Sequence, residues 1–480
     1  MSIKINYNEE VLLQAQTRRA TVEFINIVND LWYDKSIELV LFRNALIDKR
    51  ASEVLNLIAY SREFVGKPIA IQDALDIAKA IQQINLPFSK LDIGKLAYEW
   101  YLSSKSSEDK VAFVQRKLKK ATGSKDIQPK DVVLYGFGRI GRIVARELMT
   151  KTGKGSQLRL RAIVTRGEIN KTVLEKRASL LMVDSIHGDF LGTVQTDEEN
   201  NALIINGTTV YLISANNPED IDYTKYGIND ALIIDNTGAF RDKEALSRHL
   251  KGKGVSKVLI TAPAKGVPNI VHGVNHKENN PDSVAIFSAA SCTTNAITPV
   301  LKVLEDNYGI KKGHLETIHA YTNDQNLVDN MHNKYRRGRA AALNMVITET
   351  GAGAAVSKAI PALKGKLTSN AIRVPVPNGS LAILSLQLRT VVTKERVNSL
   401  IKKYALEGDL VAQIKYSIDN ELVSSDIIGT TAPSIFDSRA TIADEETIVI
   451  YVWYDNEYGY SHQVIRLARH ISKVRKFTYY

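Results

Sequence analysis

One glycine pattern constrains this chain more than any other feature. Gly136-Phe137-Gly138-Arg139-Ile140-Gly141 follows the β-branched run Asp131–Tyr135 and opens a helical stretch, Arg142–Met149. A strand that turns on glycine into a helix brings backbone N–H groups close to a pyrophosphate, and the helix N-terminus attracts the same charge. The six-residue pattern is weak alone, but here it has the flanking strand and helix it requires. It predicts a dinucleotide-binding domain with Gly136, Gly138, Arg139, Ile140 and Gly141 at the cofactor.

The surrounding texture agrees. Leu158–Val164, Ala231–Asp235, Lys257–Thr261 and Val284–Ser288 are short buried-type strands separated by helical or loop stretches, the signature of a parallel α/β sheet. Later runs, Ala382–Val392 and Thr447–Trp453, are longer and alternate, as in an antiparallel or mixed sheet. Before Asp131 the chain reads as helices. Ala74, Ile77, Ala78, Ile81 and Ile84 recur at helical spacing, as do Ile93, Leu96, Ala97 and Trp100, and Ile37 to Ile47 reads as a denser apolar helix. Ser107-Glu108-Asp109 should start one more helix, and Pro68 and Pro87 mark turns. The expected architecture is α/β. An all-α extension (1–122) and a linker (123–130) precede a Rossmann-type domain (131–290), joined by a C-terminal helix (457–480), and an α+β catalytic domain (291–456) with a mixed or antiparallel sheet.

Composition excludes little but helps. The 480 residues suit two or three domains, and 44% hydrophobic with 24% charged residues is ordinary globular usage. No apolar run approaches the length of a membrane span, and the start MSIKINYNEE lacks the form of a secretory signal. A single cysteine cannot form an internal disulfide, which fits a reducing cytoplasm. The net charge of +11 favours anionic partners, but the tight cluster Arg116–Lys120 lacks the interleaved aromatics of a nucleic-acid surface. No metal ligand set and no nucleic-acid partner is expected.

The second strand of a dinucleotide fold ordinarily ends in an acid that binds the ribose 2′-hydroxyl of NAD. Here Arg166 stands in that place, with Lys171 not far on. A guanidinium removes the carboxylate's repulsion and can grip a 2′-phosphate, so NADP competes with NAD as the expected cofactor. The lone thiol, Cys292, follows the strand Val284–Ser288 and begins the apolar-periodic stretch Ala296–Leu304. A helix start favours a thiolate, and His319, ending the run Leu315–Ile318, is a candidate base.

The string ASCTTN at Ala290–Asn295 is similar to the active-site signature of glyceraldehyde-3-phosphate dehydrogenases. GFGRIGR (136–142), DSIHGDF (184–190), NTGAF (236–240), GVNH (273–276) and HAYTNDQ (319–325) resemble other marks of that family, in family order. RRGRAAA (336–342), TGAGAAV (350–356), RVPVPNGS (373–380) and WYDNEYGYS (453–461) complete the set. The resemblance implies Cys292 as nucleophile and His319 as base. It implies Asn236, Thr237 and Gly238 bordering the cofactor, Asn456 orienting the nicotinamide carboxamide and Tyr460 near that ring. It further implies Thr322, Asp324 and Arg373 for the substrate phosphate, and Ser291, Thr293, Arg337, Thr350 and Gly351 around the attacking inorganic phosphate. A homotetramer acting on glyceraldehyde 3-phosphate and phosphate follows, with erythrose-4-phosphate dehydrogenase, or an RNA- or partner-binding use of the scaffold, as alternatives.

Three features depart from that pattern: Arg166, the long basic segment Thr150–Arg161, read as a surface loop, and residues 1–122. Some bacterial members of the family look similar in carrying such an extension. It could clamp the cofactor domain, mediate assembly or bind a partner.

Overall fold

The computed structural model describes residues 6–103, 109–121, 127–155, 157–474 and 476–480. The chain divides into two compact units. The first gathers Met1–Pro129, Thr152–Gln157 and Val474–Tyr480, and the second holds Lys130–Lys151 and Leu158–Lys473.

In the first unit the long helix Tyr7–Lys35 begins at Asn6, whose side chain accepts the Asn8 N–H, and ends at Ser36 in the left-handed region. Helices Ile71–Gln82 and Ile93–Ser103 form where the helical spacing predicts them, with Ala74, Ile77, Ala78, Ile81, Leu96 and Ala97 in the core. Asp109 caps the helix Lys110–Lys117, while Ser107 and Glu108 lie outside the described residues.

The reading of Ile37–Ile47 as a helix is overturned, and with it the all-α extension. Ile37–Leu41 is a strand buried at all five positions, so no alternation marks it as one. It turns back on Phe42 and Arg43, both at positive φ, into Asn44–Ala45. The buried Asp92 carboxylate holds that turn, accepting the N–H groups of Phe42 (2.9 Å) and Arg43 (3.1 Å). Ile37–Leu41 also pairs in parallel with Ser89–Asp92. The fourth strand of this sheet, Phe477–Tyr479, comes from the far end of the chain and pairs in parallel with Ser89–Leu91. The expected C-terminal helix 457–480 is therefore only Tyr458–Ile471, and the last seven residues belong to the extension's unit. The segment 152–157 belongs there too. Gln157 is buried, so this stretch is not the plain surface loop expected.

The second unit holds two sheets. Six parallel strands run in the order Ile286–Ser288, Val255–Ile260, Ala231–Asp235, Lys130–Tyr135, Leu158–Thr165 and Thr208–Ser214, and two antiparallel strands extend the edge. Lys130–Tyr135 lies where the strand order reverses, the point at which such sheets bind ligands. The other sheet is mixed. Its centre is Leu367–Val374, Ile310–Ala320, Ser380–Leu388 and Thr447–Tyr454. The parallel register sets His319 beside Arg373, and the antiparallel register sets Ser380 beside Tyr454. No helix among the described residues is long and apolar enough to cross a membrane.

Candidate active site

The glycine turn is built as the sequence demands. Gly136 sits at φ +95°, where a Cβ would also meet Thr237 Cγ2 at 2.9 Å. A Cβ on Gly141 would come within 2.5 Å of the Gly136 carbonyl, so the helix Arg139–Thr150 approaches the turn only because Gly141 has none. Gly138, at the N-cap, faces open space. That cradle, with the helix's unbonded first N–H groups, fits a dinucleotide's pyrophosphate. Arg139 itself is held by protein carboxylates, Asp184 at 3.1 and 3.2 Å and Glu457 at 2.5 and 2.6 Å. What Arg139 and Ile140 can offer a cofactor is therefore backbone N–H.

Around the strand ends, Thr237 is tied to Asp235, and the buried Oδ1 of Asn236 and Oγ1 of Thr165 have no partner among the described residues. Gly238, at φ +66°, ends the same turn. Arg166 is exposed beyond the strand Leu158–Thr165. Its charge, like that of Arg248, acts on the phenol of Tyr135, whose buried oxygen has no partner among the described residues. Lys171 is engaged elsewhere, 2.9 Å from Glu198.

Cys292 opens the helix Cys292–Tyr308, capped by Ser291, whose hydroxyl accepts the Thr294 N–H. The turn before it is unusual, because Ala290 adopts φ +54°. Its carbonyl accepts from the Tyr460 hydroxyl at 2.8 Å, while Asn295 Nδ2 donates to the carbonyls on either side, Ala289 and Ser291. Tyr460 thus holds the turn that leads into Cys292.

Cys292 Sγ lies 3.5 Å from His319 Nε2. On the ring's other side, Nδ1 is 2.7 Å from the Ala320 carbonyl, which can accept its proton and leave Nε2 as the free base. Arg373 Nη1 lies 2.7 Å from Nδ1 and donates to the same carbonyl at 2.8 Å. Burial and then the Arg373 charge push the imidazole down to about 3, so the ring is neutral. Burial also pushes the Cys292 thiol up, against the pull of Arg373 and the Thr293 hydroxyl. The resting pair is a thiol beside a neutral imidazole.

Behind the pair, the Tyr454 hydroxyl bridges Thr293 (3.0 Å) and Thr317 (2.7 Å), and its ring meets His319 edge-on. The anion residues are arranged less simply than their sequence order implies. Arg337 donates to Thr348 at 3.0 and 3.1 Å and pairs with Asp324, joining residues expected in separate phosphate sites. Thr350 and Gly351 precede the helix Ala352–Ala359, with Thr350 Oγ1 accepting the Ala352 N–H. Thr322 stands at the head of the turn that returns to Gln325. Thr317, Thr348, Ser380 and Tyr454 escaped sequence reasoning. Their one available signal was a polar group within an apolar strand.

Residues 130–243 match the family described as glyceraldehyde 3-phosphate dehydrogenase, NAD binding domain, and residues 291–456 match its C-terminal domain. A glyceraldehyde-3-phosphate dehydrogenase-like protein of Pseudomonas aeruginosa is 46% identical over 94% of this chain and 98% of its own length. The chain belongs to the glyceraldehyde 3-phosphate dehydrogenase family. Members from Streptomyces coelicolor (42% identical) and Zymomonas mobilis (39%) match 70% and 71% of this chain, over 97% and 98% of their own lengths. The Pseudomonas relative matches a much larger share, which brings residues of the extension into the likeness.

Proposed function

We propose that this chain is a phosphorylating dehydrogenase that converts glyceraldehyde 3-phosphate and inorganic phosphate to an acyl phosphate. The observation that carries the reading is Cys292 within reach of a neutral His319 that Arg373 backs. His319 Nε2 takes the thiol proton as sulfur attacks the aldehyde carbon and returns it to the former carbonyl oxygen, giving a hemithioacetal and a neutral ring again. The N–H of Cys292, at the helix start, faces the developing oxyanion. The nicotinamide cofactor, when bound, supplies the hydride acceptor that turns the hemithioacetal into a thioester. His319 receives the hydroxyl proton in that step. Phosphate then attacks the thioester carbon and breaks the C–S bond, and the leaving Cys292 sulfur takes back the proton held by His319. Arg373 and Thr322 suit the substrate's phosphate, while Arg337, Thr350, Gly351 and the Ser291 hydroxyl suit the attacking one.

Reduction of cofactor with glyceraldehyde 3-phosphate should depend strictly on added phosphate. Phosphate-independent acid formation from erythrose 4-phosphate would overturn the assignment.

The exposed Arg166, in place of an acid, supports use of NADP as well as NAD. Arg166→Asp should shift the ratio of kcat/KM values toward NAD by about 10–100-fold, the worth of hydrogen bonds to a charged group. A strong NAD preference, unchanged by the substitution, would refute this. Leu327, Val328, Met331, Tyr335, Leu343 and Met345 are each at least two-thirds exposed within one short stretch. Such a patch supports assembly with further copies, as in the homotetramer the resemblance implies. Light scattering should give four times the mass of one chain.

A further inference from the structure

Asn378 and Ser380, in the segment after Arg373, take no part in the chemistry above, yet both are buried, Ser380 completely. Each reaches one of two successive residues on the neighbouring strand's end. Asn378 Nδ2 donates to Asp455 Oδ1, and the Ser380 hydroxyl donates to Asn456 Oδ1, both at 2.8 Å. Ser380 Oγ also accepts the backbone N–H of Ala320 at 3.1 Å, the residue after His319.

We infer that Ser380 is a positioning residue: it fixes which end of the Asn456 amide faces the nicotinamide carboxamide and ties that amide to the strand carrying His319. The inference rests on the reading of Asn456 as the group that orients the cofactor.

The direction of the hydrogen bonds follows from counting. A hydroxyl has one proton and two lone pairs. Ser380 accepts from Ala320, so its proton needs an acceptor, and Asn456 Oδ1 supplies one. Were the amide turned over, its N–H would point at Ser380, and a buried hydroxyl proton would be left without a partner among the described residues. The amide oxygen is therefore committed to Ser380. The amide N–H groups, which have no protein partner among the described residues, remain to donate to a ligand carbonyl such as that of a primary carboxamide.

Asp455 fixes the backbone on both sides of this amide. Besides Asn378, it accepts the N–H groups of Glu457 (3.0 Å), Tyr458 and Gly429 (2.8 Å each). Asn456 can therefore turn only about its own side chain, and Ser380 stops that turn. A nicotinamide whose carboxamide is held one way presents one ring face to the substrate. With the amide free to turn over, both faces become accessible.

The test uses the full-length enzyme with cofactor deuterated at nicotinamide C4. Wild type should transfer hydride to one face only. Ser380→Ala should lower kcat/KM for cofactor by about tenfold, the loss of one buried hydrogen bond, and give measurable transfer to the opposite face. Alkylation of Cys292 without cofactor should stay as in wild type, while the melting temperature should fall by only a few degrees, the cost of unpairing one buried backbone N–H. In an Asn456→Ala background the same substitution should change kcat/KM by less than about twofold, since coupled groups do not add. Single-face transfer with wild-type kinetics in Ser380→Ala, or a full tenfold loss in both backgrounds, would overturn the inference. Should Ser380→Ala lose its melting transition, Ser380→Cys, of similar size and a weak donor, takes its place with the same expected mixture of faces. If Asn456→Ala leaves cofactor use untouched, it is the reading of Asn456 that fails. If Asn456→Ala impairs cofactor use and Ser380→Ala does not, only the role of Ser380 fails.

Discussion

Replacing His319 with asparagine is expected to slow formation of the Cys292 thioester by about 10²–10⁴-fold, the contribution of a positioned acid–base group. The resting thiol is held protonated by burial, so attack needs a base at Sγ, and Nε2 at 3.5 Å is the group within reach. The neutral ring makes a definite pH statement. Burial and Arg373 press the imidazole down to about 3, so its protonation is favoured only below that pH and it stays a base across the neutral range. Alkylation of Cys292 in the substrate-free enzyme should therefore rise with pH toward the thiol's own ionisation, with no break near the ordinary imidazole value of about 6.5. Stopped-flow absorbance of the acyl-enzyme step and the rate of iodoacetamide labelling are the two measurements. A break near neutral pH that vanishes in His319→Asn would show the ring titrating in its ordinary range.

Glu38→Gln is expected to destabilise the first unit by about 3–5 kcal/mol, the cost of removing one partner from a buried ion pair. Glu38 is 1% exposed and lies 3.0 Å from Lys90 Nζ, and it also pairs with Lys476. Lys476 is nearly buried as well, its ammonium 5.3 Å from the Trp32 ring and 4.8 Å from that of Phe88. Without the Glu38 carboxylate, Lys90 and Lys476 both lose a buried counter-charge. Glu38→Gln combined with Lys476→Met should recover much of the loss, because deleting both partners of a buried pair is far cheaper than deleting one. Deleting residues 474–480 should destabilise the same unit, since it also removes the strand Phe477–Tyr479 and the Tyr479 hydroxyl bonded to Glu99. Denaturant unfolding followed by tryptophan emission reads this directly, as Trp32 and Trp100 lie in this unit. An unchanged midpoint in Glu38→Gln would refute the argument.

The extension shows where a one-dimensional reading fails. Ile37–Leu41 is apolar or buried at every position, and such a run carries no period to separate strand from helix. What decides is the partner: Ser89–Asp92 comes more than forty residues later in the chain, and the final strand that pairs with it in turn comes hundreds of residues later. Glu38 looks like a solvated acid in the sequence. It becomes a buried charge only because Lys90 and Lys476 arrive from distant segments.

The local parts of the candidate site were legible for the opposite reason. The glycine turn and the thiol at a helix start are local devices, set by φ angles and by N–H groups within a few residues, so Gly136, Gly141 and Cys292 announce themselves in order along the chain. By itself the sequence determined the nucleotide fold, the thiol at a helix start and the family. Only the tertiary structure decided that Arg373 stands against His319, that Tyr454 and Ser380 brace the site, and that the last strand completes the first unit. Those relations depend on strand register and on side chains meeting across the sheet, and sequence distance carries no record of either.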